Sequence, residues 1–219
     1  MSTKERILDA SLHLFNEQGE RKVTTNHIAA HLEISPGNLY YHFKNKQAII
    51  FALFERYEAR VLEILQVPEG RPLQPLDKLN YLQAVFQGLW DFRFMHRDME
   101  HLLLDNPQLH ARYRDFFRLC LKQVEAIFRG LAAAGIIAAS EDDIAGLALN
   151  TWIVVTSWFS FLRCNLLNSE VEAISPELLQ GGIYQVFALE RPYLTEQYRG
   201  VMNELQQRFM PRPAWLASA

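Results

Sequence analysis

The chain has 219 residues and a formal net charge of −3, and 49% of its residues are apolar and 12% aromatic. This composition excludes collagen-like, coiled-coil-only and disordered proteins, and the length suits one large domain or a small domain joined to a larger one. Two cysteines are too few for a disulfide framework, so we expect a protein of the reducing cytoplasm. No charged region followed by an apolar stretch opens the chain, so we expect no secretory signal.

The beginning of the chain predicts a first helix over about 3–18. Ser2 and Glu5 have the spacing of a capping box, in which a hydroxyl and a carboxylate each accept a hydrogen bond from the other's backbone N–H. Apolar residues then recur at helical spacing until Gly19, which suits a left-handed helix end.

Two short helices joined by a tight turn are predicted next. Thr24 or Thr25 can cap the first of them. Ser35 and Pro36 open the other, because a hydroxyl suits the N-cap and proline needs no N–H partner in the first turn. The pattern is that of a helix-turn-helix.

The second of these short helices can be oriented from its apolar residues. At about 100° per residue, Leu39 and Phe43 define the buried direction. The opposite face then carries Tyr41, flanked by Gly37 and Asn38. A helix of this size fits the DNA major groove, where side chains on the exposed face can meet base edges. The residues placed to hold phosphates on either side are Thr25, Tyr40, His42 and Lys46.

The charge distribution favours the same interpretation. Residues 21–46 carry four Lys or Arg and a single acid, Glu33, within a chain of negative net charge. Such a segment is typical of a surface that contacts phosphate. Two alternatives remain open at this point: a solvated charged face, and an ordinary helical hairpin packed into a core.

The remainder of the chain also predicts helices. Asn45 can cap a long helix from Lys46 to about Leu65, and a cluster of prolines and glycine over 66–75 predicts a junction. Further helices are predicted over about 76–95, 98–104, 108–134, 141–166, 176–191 and 195–209. No stretch alternates convincingly with period two, so the predicted fold class is all-α. We divide the chain into a helix-turn-helix domain, 1–46, and a helical effector-binding and dimerisation domain, 47–219.

Residues 7–19, 23–29 and 35–46 closely resemble the N-terminal DNA-binding domain of the TetR family of bacterial transcriptional regulators. The most specific element is Leu-Tyr-Tyr-His-Phe-x-x-Lys over 39–46, and the later part of the chain loosely resembles one subgroup of TetR-like repressors. The resemblance implies a three-helix DNA-binding head on a larger helical domain. It also implies these DNA-binding residues: Thr24, Thr25, Asn26, Ser35, Pro36, Gly37, Asn38, Tyr40, Tyr41, His42 and Lys46.

Two positions depart from the family pattern. The tight turn often holds Gly or Asn in the family, whereas Glu33 stands here. A non-glycine residue in a left-handed turn costs roughly 1 kcal/mol, and an acid near DNA lowers affinity. Asn26 stands where some members carry arginine, which shortens the reach to a base from that position.

Residues 144–162 carry no charged side chain, so their length alone allows a membrane span. The segment is solitary and contains Asn, Thr and Ser, so we predict a buried helix and no membrane contact. A helix that is apolar on all sides must be buried on all sides, and a subunit interface can bury the side that its own chain leaves uncovered. We expect 141–166 and 176–191 to form a four-helix interface across a two-fold axis in a homodimer.

Aromatic and sulfur-containing side chains are frequent in the larger domain. They can line a cavity that binds a hydrophobic or amphipathic small molecule, or they can form an ordinary core without a cavity. The candidate ligand-binding residues are Trp90, Arg93, Phe94, Phe116, Asn150, Thr151 and Trp158. His96, His101 and His110 match no usual metal-ligand spacing, so we predict neither a metal site nor a cofactor.

The sequence therefore predicts a sequence-specific DNA-binding regulator, a ligand-responsive repressor that binds a pseudo-palindromic operator as a homodimer. The alternatives are an all-α small-molecule-binding protein or enzyme that uses the later apolar cavity, and a dimeric scaffold that does not bind DNA. No nucleophile elbow, P-loop, dinucleotide fingerprint or H-E-x-x-H motif supports an enzyme, and we predict that the protein is not one.

Overall fold

The computed structural model describes residues 1–165 and 174–210, and this part of the chain is helical. Apart from one isolated bridge between Ile137 and Leu194, the described residues contain no β-structure, which confirms the all-α fold class. The helices are α1 (Thr3–Gln18), α2 (Thr25–His31), α3 (Pro36–His42), α4 (Lys46–Ile64), α5 (Pro75–Asp91), α6 (Arg93–Leu104), α7 (Pro107–Ala133), α8 (Glu141–Asn165), α9 (Pro176–Glu190) and α10 (Glu196–Gln207).

Local capping sets the starts of the N-terminal helices where the sequence predicts them. The Ser2 hydroxyl accepts from the Glu5 backbone N–H at 3.2 Å, and the Glu5 carboxylate accepts from the Ser2 N–H at 2.7 Å. The Ser35 hydroxyl accepts from a backbone N–H in the first turn of α3. Asn45 Oδ1 accepts from the Ala48 N–H at 2.8 Å, at the start of α4. These bonds satisfy donors that a helix cannot satisfy internally.

The chain packs into two compact units. The first contains Met1–Arg60 and Asp91–Phe116, and the second contains Val61–Trp90 and the described part of Phe117–Ala219. The compact units therefore meet in the sequence after Arg60, Trp90 and Phe116, and not at the predicted domain boundary between residues 46 and 47. That boundary concerns which residues carry which function, and it stays a prediction.

The prediction of one helix over 76–95 is wrong, because α5 ends at Asp91 and α6 begins at Arg93. Phe92 between them is non-helical, with φ −113° and ψ 32°. The side chain of Asn16 in α1 bonds both sides of this break. Its Nδ2 donates to the Asp91 carbonyl at 2.8 Å, and its Oδ1 accepts from the Phe94 N–H at 3.1 Å. Hydrogen bonds from a distant helix therefore compensate for the interrupted ladder.

Within the first unit, α6 packs against α1. The Phe94 and Phe15 rings lie 5.2 Å apart between centroids, and the Arg97 guanidinium donates to the Phe15 carbonyl at 2.9 Å. That carbonyl belongs to the last turn of α1, where a cation is also favoured by the helix dipole. Residues 91–116 are therefore part of the structural framework of the N-terminal head.

In the second unit, α8 and α9 approach closely. Trp158 Nε1 in α8 donates to the Leu178 carbonyl in α9 at 3.3 Å. Gly182 in α9 faces α5, and a Cβ atom there would lie 2.5 Å from a Phe86 ring carbon and 2.9 Å from Trp158. The close contact of these helices therefore depends on the absent side chain at Gly182.

A buried ion pair also lies in the second unit. Lys78 Nζ is 2.7 Å from Glu190 Oε1 and 4.3 Å from the centre of the Phe128 ring, and both charged side chains are almost fully buried. Burial raises the pKa of Glu190, while Lys78 opposes that rise. Removing either partner alone would leave a buried unpaired charge, which is strongly destabilising.

His96 in α6 is a buried histidine whose neutral form the fold requires. Its Nε2 lies 3.1 Å from the Tyr57 hydroxyl, and burial lowers the His96 pKa from 6.5 to about 4. The unfolded chain therefore binds a proton more readily than the folded chain between these two pH values. The neutral His96 therefore does not reduce the free energy of unfolding above about pH 6.5, and that free energy decreases as the pH falls from 6.5 toward 4.

We expect the His96→Gln variant to lose this acid sensitivity, because an amide can keep the hydrogen bond to Tyr57 without titrating. Urea unfolding of both proteins should be measured at intervals between pH 7.5 and pH 5. The wild-type protein should lose free energy of unfolding relative to the variant as the pH falls, by a difference of about 2 kcal/mol at pH 5. Parallel pH profiles for the two proteins would contradict the argument.

Candidate nucleic-acid interface

A tight turn joins α2 to α3, and its geometry is the one that the sequence predicts. Glu33 has φ +57°, the left-handed region that favours glycine. Its N–H donates to the Ala30 carbonyl at 3.1 Å, and the Ile34 N–H donates to the Ala29 carbonyl at 3.0 Å. The turn thereby satisfies the last carbonyls of α2 and redirects the chain into α3.

The short helix α3 presents its polar face to solvent. Leu39 is fully buried and Phe43 is 5% exposed, whereas Tyr41 on the opposite side is 86% exposed. Gly37 and Asn38, in the first turn, are also exposed. The predicted orientation of this helix is therefore confirmed, and the exposed side offers a tyrosine, an amide and a side-chain-free approach to the backbone.

Two predicted phosphate-binding residues lie side by side. The Thr25 hydroxyl at the start of α2 is 3.0 Å from the Tyr40 hydroxyl in α3. The Thr24 hydroxyl instead accepts from the His27 N–H at 3.2 Å and caps α2, and Asn26 is exposed beside it. The Thr25–Tyr40 pair brings hydroxyl groups from two helices together on one surface, and its role as a phosphate contact stays a prediction.

The other two predicted phosphate-binding residues are already in contact with the protein. His42 is half-buried, and its ring meets the Tyr41 ring edge to face at 5.1 Å. Lys46 Nζ is 2.7 Å from the Glu20 carboxylate and donates to the Glu20 backbone carbonyl at 3.1 Å. Glu20 is a residue that the sequence analysis missed, and no local spacing links it to Lys46, 26 positions later.

The predicted ligand-binding residues fall into both compact units. In the first unit, Arg93 forms an ion pair with Glu17, Phe94 packs on Phe15, and Phe116 is buried. These contacts give the three residues framework roles, and their part in effector binding stays a prediction.

In the second unit, Thr151 is buried and its hydroxyl oxygen has no hydrogen-bond partner, whereas its neighbour Asn150 is exposed. Trp90 and Trp158 are half-buried. Thr151 is the predicted anchor whose polar atom is both buried and unsatisfied. Within residues 1–165 and 174–210, no three His, Cys, Asp or Glu side chains are arranged to hold a metal ion.

The apolar helix α8 is long and apolar enough to cross a membrane by length and composition. A core helix of a soluble protein passes the same test, so one such helix is weak support for a span. Only 28% of its most apolar 18-residue window is buried within the described chain. Residue 166, the last of the predicted helix, lies outside the described residues.

Two family profiles match the chain. The profile described as bacterial regulatory proteins of the tetR family matches residues 7–53, and the profile described as a bacterial transcriptional repressor, TetR, matches residues 56–201. Together they cover both the candidate interface and most of the remaining helices.

Individual relatives agree with these profiles. A TetR-family transcriptional regulator from Marinobacter aquaeolei VT8 is 49% identical, with a TM-score of 0.88 over 96% of this chain and 100% of that chain. The transcriptional regulator YerO of Bacillus subtilis is 27% identical over 81% of this chain, and the match spans only 62% of YerO. SmeT, the repressor of the Stenotrophomonas maltophilia multidrug efflux pump SmeDEF, shares the fold, at 21% identity and a TM-score of 0.66 over 90% of this chain and 93% of SmeT.

The helical head with its exposed α3, together with these matches, defines a helix-turn-helix transcriptional regulator. The chain belongs to the TetR family of bacterial transcriptional regulators.

The left-handed residue Glu33 gives a prediction that separates backbone strain from charge. We expect Glu33→Gly to raise the free energy of unfolding by about 0.5–1 kcal/mol, since glycine adopts φ +57° without a steric penalty. The matched variant Glu33→Gln keeps the strain and should leave stability unchanged. Both variants remove an acid beside the interface and should tighten DNA binding equally. Urea denaturation and DNA titration measure the two effects, and equal stability of the two variants would refute the strain argument.

Proposed function

We propose that this regulator is a ligand-responsive repressor that binds a pseudo-palindromic DNA operator as a homodimer. The observation that carries the DNA-binding part is the exposed polar face of α3, held outward by the buried Leu39 on the other side. A helix with this exposure fits the major groove, where base edges are distinguishable. The family membership of the chain supports the same function.

Each residue of the interface has a proposed role in this function. Asn38 and Tyr41 meet base edges, and Gly37 lets the backbone approach the groove. The Thr25–Tyr40 hydroxyl pair, with His42 and Lys46, contacts phosphates on either side. The remaining proposed contacts come from the exposed starts of α2 and α3: Thr24, Asn26, Ser35 and Pro36.

A second copy of the chain is the proposed cover for α8 and α9. Leu149 and Ile153 lie one turn apart on α8 and are 43% and 50% exposed, and Phe161 farther along is 40% exposed. Leu178 at the start of α9 is 39% exposed. Two-fold pairing of these helices would bury the apolar side chains and supply the two heads that half-sites about 34–36 Å apart require.

The proposed effector is a small hydrophobic or amphipathic molecule, and it binds in the larger helical domain. We also propose that the protein is cytoplasmic and has no enzymatic activity. SmeT, which has the same fold, has been solved in a complex with triclosan. The buried, unsatisfied Thr151 hydroxyl is the best-supported polar anchor for such a molecule. An effector can release DNA only by its differential affinity for two arrangements of the heads, and α4 is the proposed lever between them.

The first test is DNA binding by a Tyr41→Ala variant. DNA fragments bound by the purified protein are selected from the host genome, and fluorescence anisotropy gives the affinity for the best fragment. We expect a loss of about 10- to 100-fold, because the contacts that disappear from the two half-sites together contribute about 1.4–2.7 kcal/mol. Stability should not change, since Tyr41 is 86% exposed. The control is Gln83→Ala, at an exposed position of α5, and equal affinity of all three proteins would exclude the proposed role of α3.

The second test concerns the dimer. An Ile153→Glu substitution would place two carboxylates in the proposed apolar interface, so we expect the variant to sediment as a 25.4 kDa monomer while the wild-type protein has twice that mass. Leu104→Glu is the matched control, because Leu104 in α6 is 72% exposed and lies outside the proposed interface. A dimeric Ile153→Glu protein would place the subunit contact elsewhere.

A further inference from the structure

The ammonium group of Lys46 is held by a single residue, Glu20. Nζ lies 2.7 Å from Glu20 Oε1 and 3.1 Å from the Glu20 backbone oxygen, so two of its three N–H donors point at that residue. The Lys46 side chain remains 24% exposed. One donor is therefore left for a group outside the protein.

Glu20 is fixed where it stands. Its side chain is 5% exposed, and Oε2 has no hydrogen-bond partner. It lies in the 3-10 turn Glu20–Lys22, whose position is set by Gly19 at φ +89° and by the Val23 N–H bonded to the Glu20 carbonyl at 3.2 Å. Moving Lys46 away would leave a buried carboxylate without its counter-charge, which is costly. The pair therefore stays together when the head meets DNA.

We propose that Glu20 is a positioning residue. It determines how much the positive charge of Lys46 contributes to DNA affinity. It aims the remaining Lys46 N–H at a phosphate and cancels the net charge of the ammonium group, so that the contact is a hydrogen bond from a neutral pair. The cationic segment 21–46 then acts on DNA with one positive charge fewer than its composition indicates. This inference rests on the proposed contact between the head and DNA.

The consequence is measurable as salt dependence. A cation that neutralises a phosphate releases condensed counterions and steepens the dependence of log affinity on log salt by about 0.9. A neutral Lys46–Glu20 pair contributes little to that slope. Glu20→Gln keeps an oxygen for Lys46 and removes the carboxylate, so it should add about 0.9 to the slope for each head, or about 1.8 for two heads.

The experiment is a titration of the selected DNA fragment between 50 and 300 mM KCl. The proteins are the wild type, Glu20→Gln, the double variant Glu20→Gln/Lys46→Gln, and Glu63→Gln. Glu63 is exposed in α4 and outside the interface, so that variant has the same change of net charge at a remote place. Circular dichroism at each salt concentration reports the folded fraction.

We expect Glu20→Gln to bind more tightly at 50 mM KCl and to lose about 25-fold more affinity than the wild type across this range. The double variant should bind more weakly than the wild type but with the same slope. Its two glutamines have no net charge, and neither does the Lys46–Glu20 pair that they replace. Glu63→Gln should follow the wild type.

A Glu20→Gln slope equal to that of the wild type would overturn the proposal. So would a double-variant slope shallower by about 0.9 per head, which is the result expected of a Lys46 that acts as a full cation. The double variant carries no buried charge, so it decides the question even if Glu20→Gln alone does not fold. Failure of the wild-type protein to bind any selected fragment would instead refute the proposed function.

Discussion

The burial of Leu39 and Phe43 is the interaction on which the candidate interface depends. The helix α3 has only seven residues, too few to be stable alone, and these two side chains hold it in a fixed orientation. The Ser35 cap and Pro36 reduce the cost of starting the helix. The strained turn at Glu33 is tolerated because the same anchoring determines the path of the chain on both sides.

The second constraint is the attachment of α6 to α1 within the first unit. Asn16 bonds the carbonyl of Asp91 and the N–H of Phe94, so the break at Phe92 has a fixed position relative to α1. Arg97 adds a bond to the last turn of α1. A displacement of the first turn of α6 therefore changes hydrogen bonds to α1, the helix that packs against α2. The compact unit that contains the helix-turn-helix is therefore larger than the segment that carries the motif.

The features that the sequence predicts correctly are local ones. The caps at Ser2, Ser35 and Asn45, and the left-handed residue Glu33, depend on groups within four positions of each other. The break at Phe92 could not be predicted, because apolar residues continue across it and its hydrogen-bond partner, Asn16, is some 75 positions away. Periodicity shows which residues are buried together and does not show where a distant side chain replaces a backbone bond.

The same limit applies to the functional residues. Residue type indicates that Lys46 can bind phosphate and that Arg93 can anchor a ligand, yet each has a carboxylate partner far away in sequence, Glu20 and Glu17. A cation with such a partner keeps its hydrogen-bonding capacity and loses much of its long-range attraction. The exposed Tyr41 and Asn38 have no such restriction on α3. In the proposed complex with DNA, specificity would therefore depend on groups that the sequence shows directly, whereas the strength of the attraction to DNA would depend on pairings that only the fold determines.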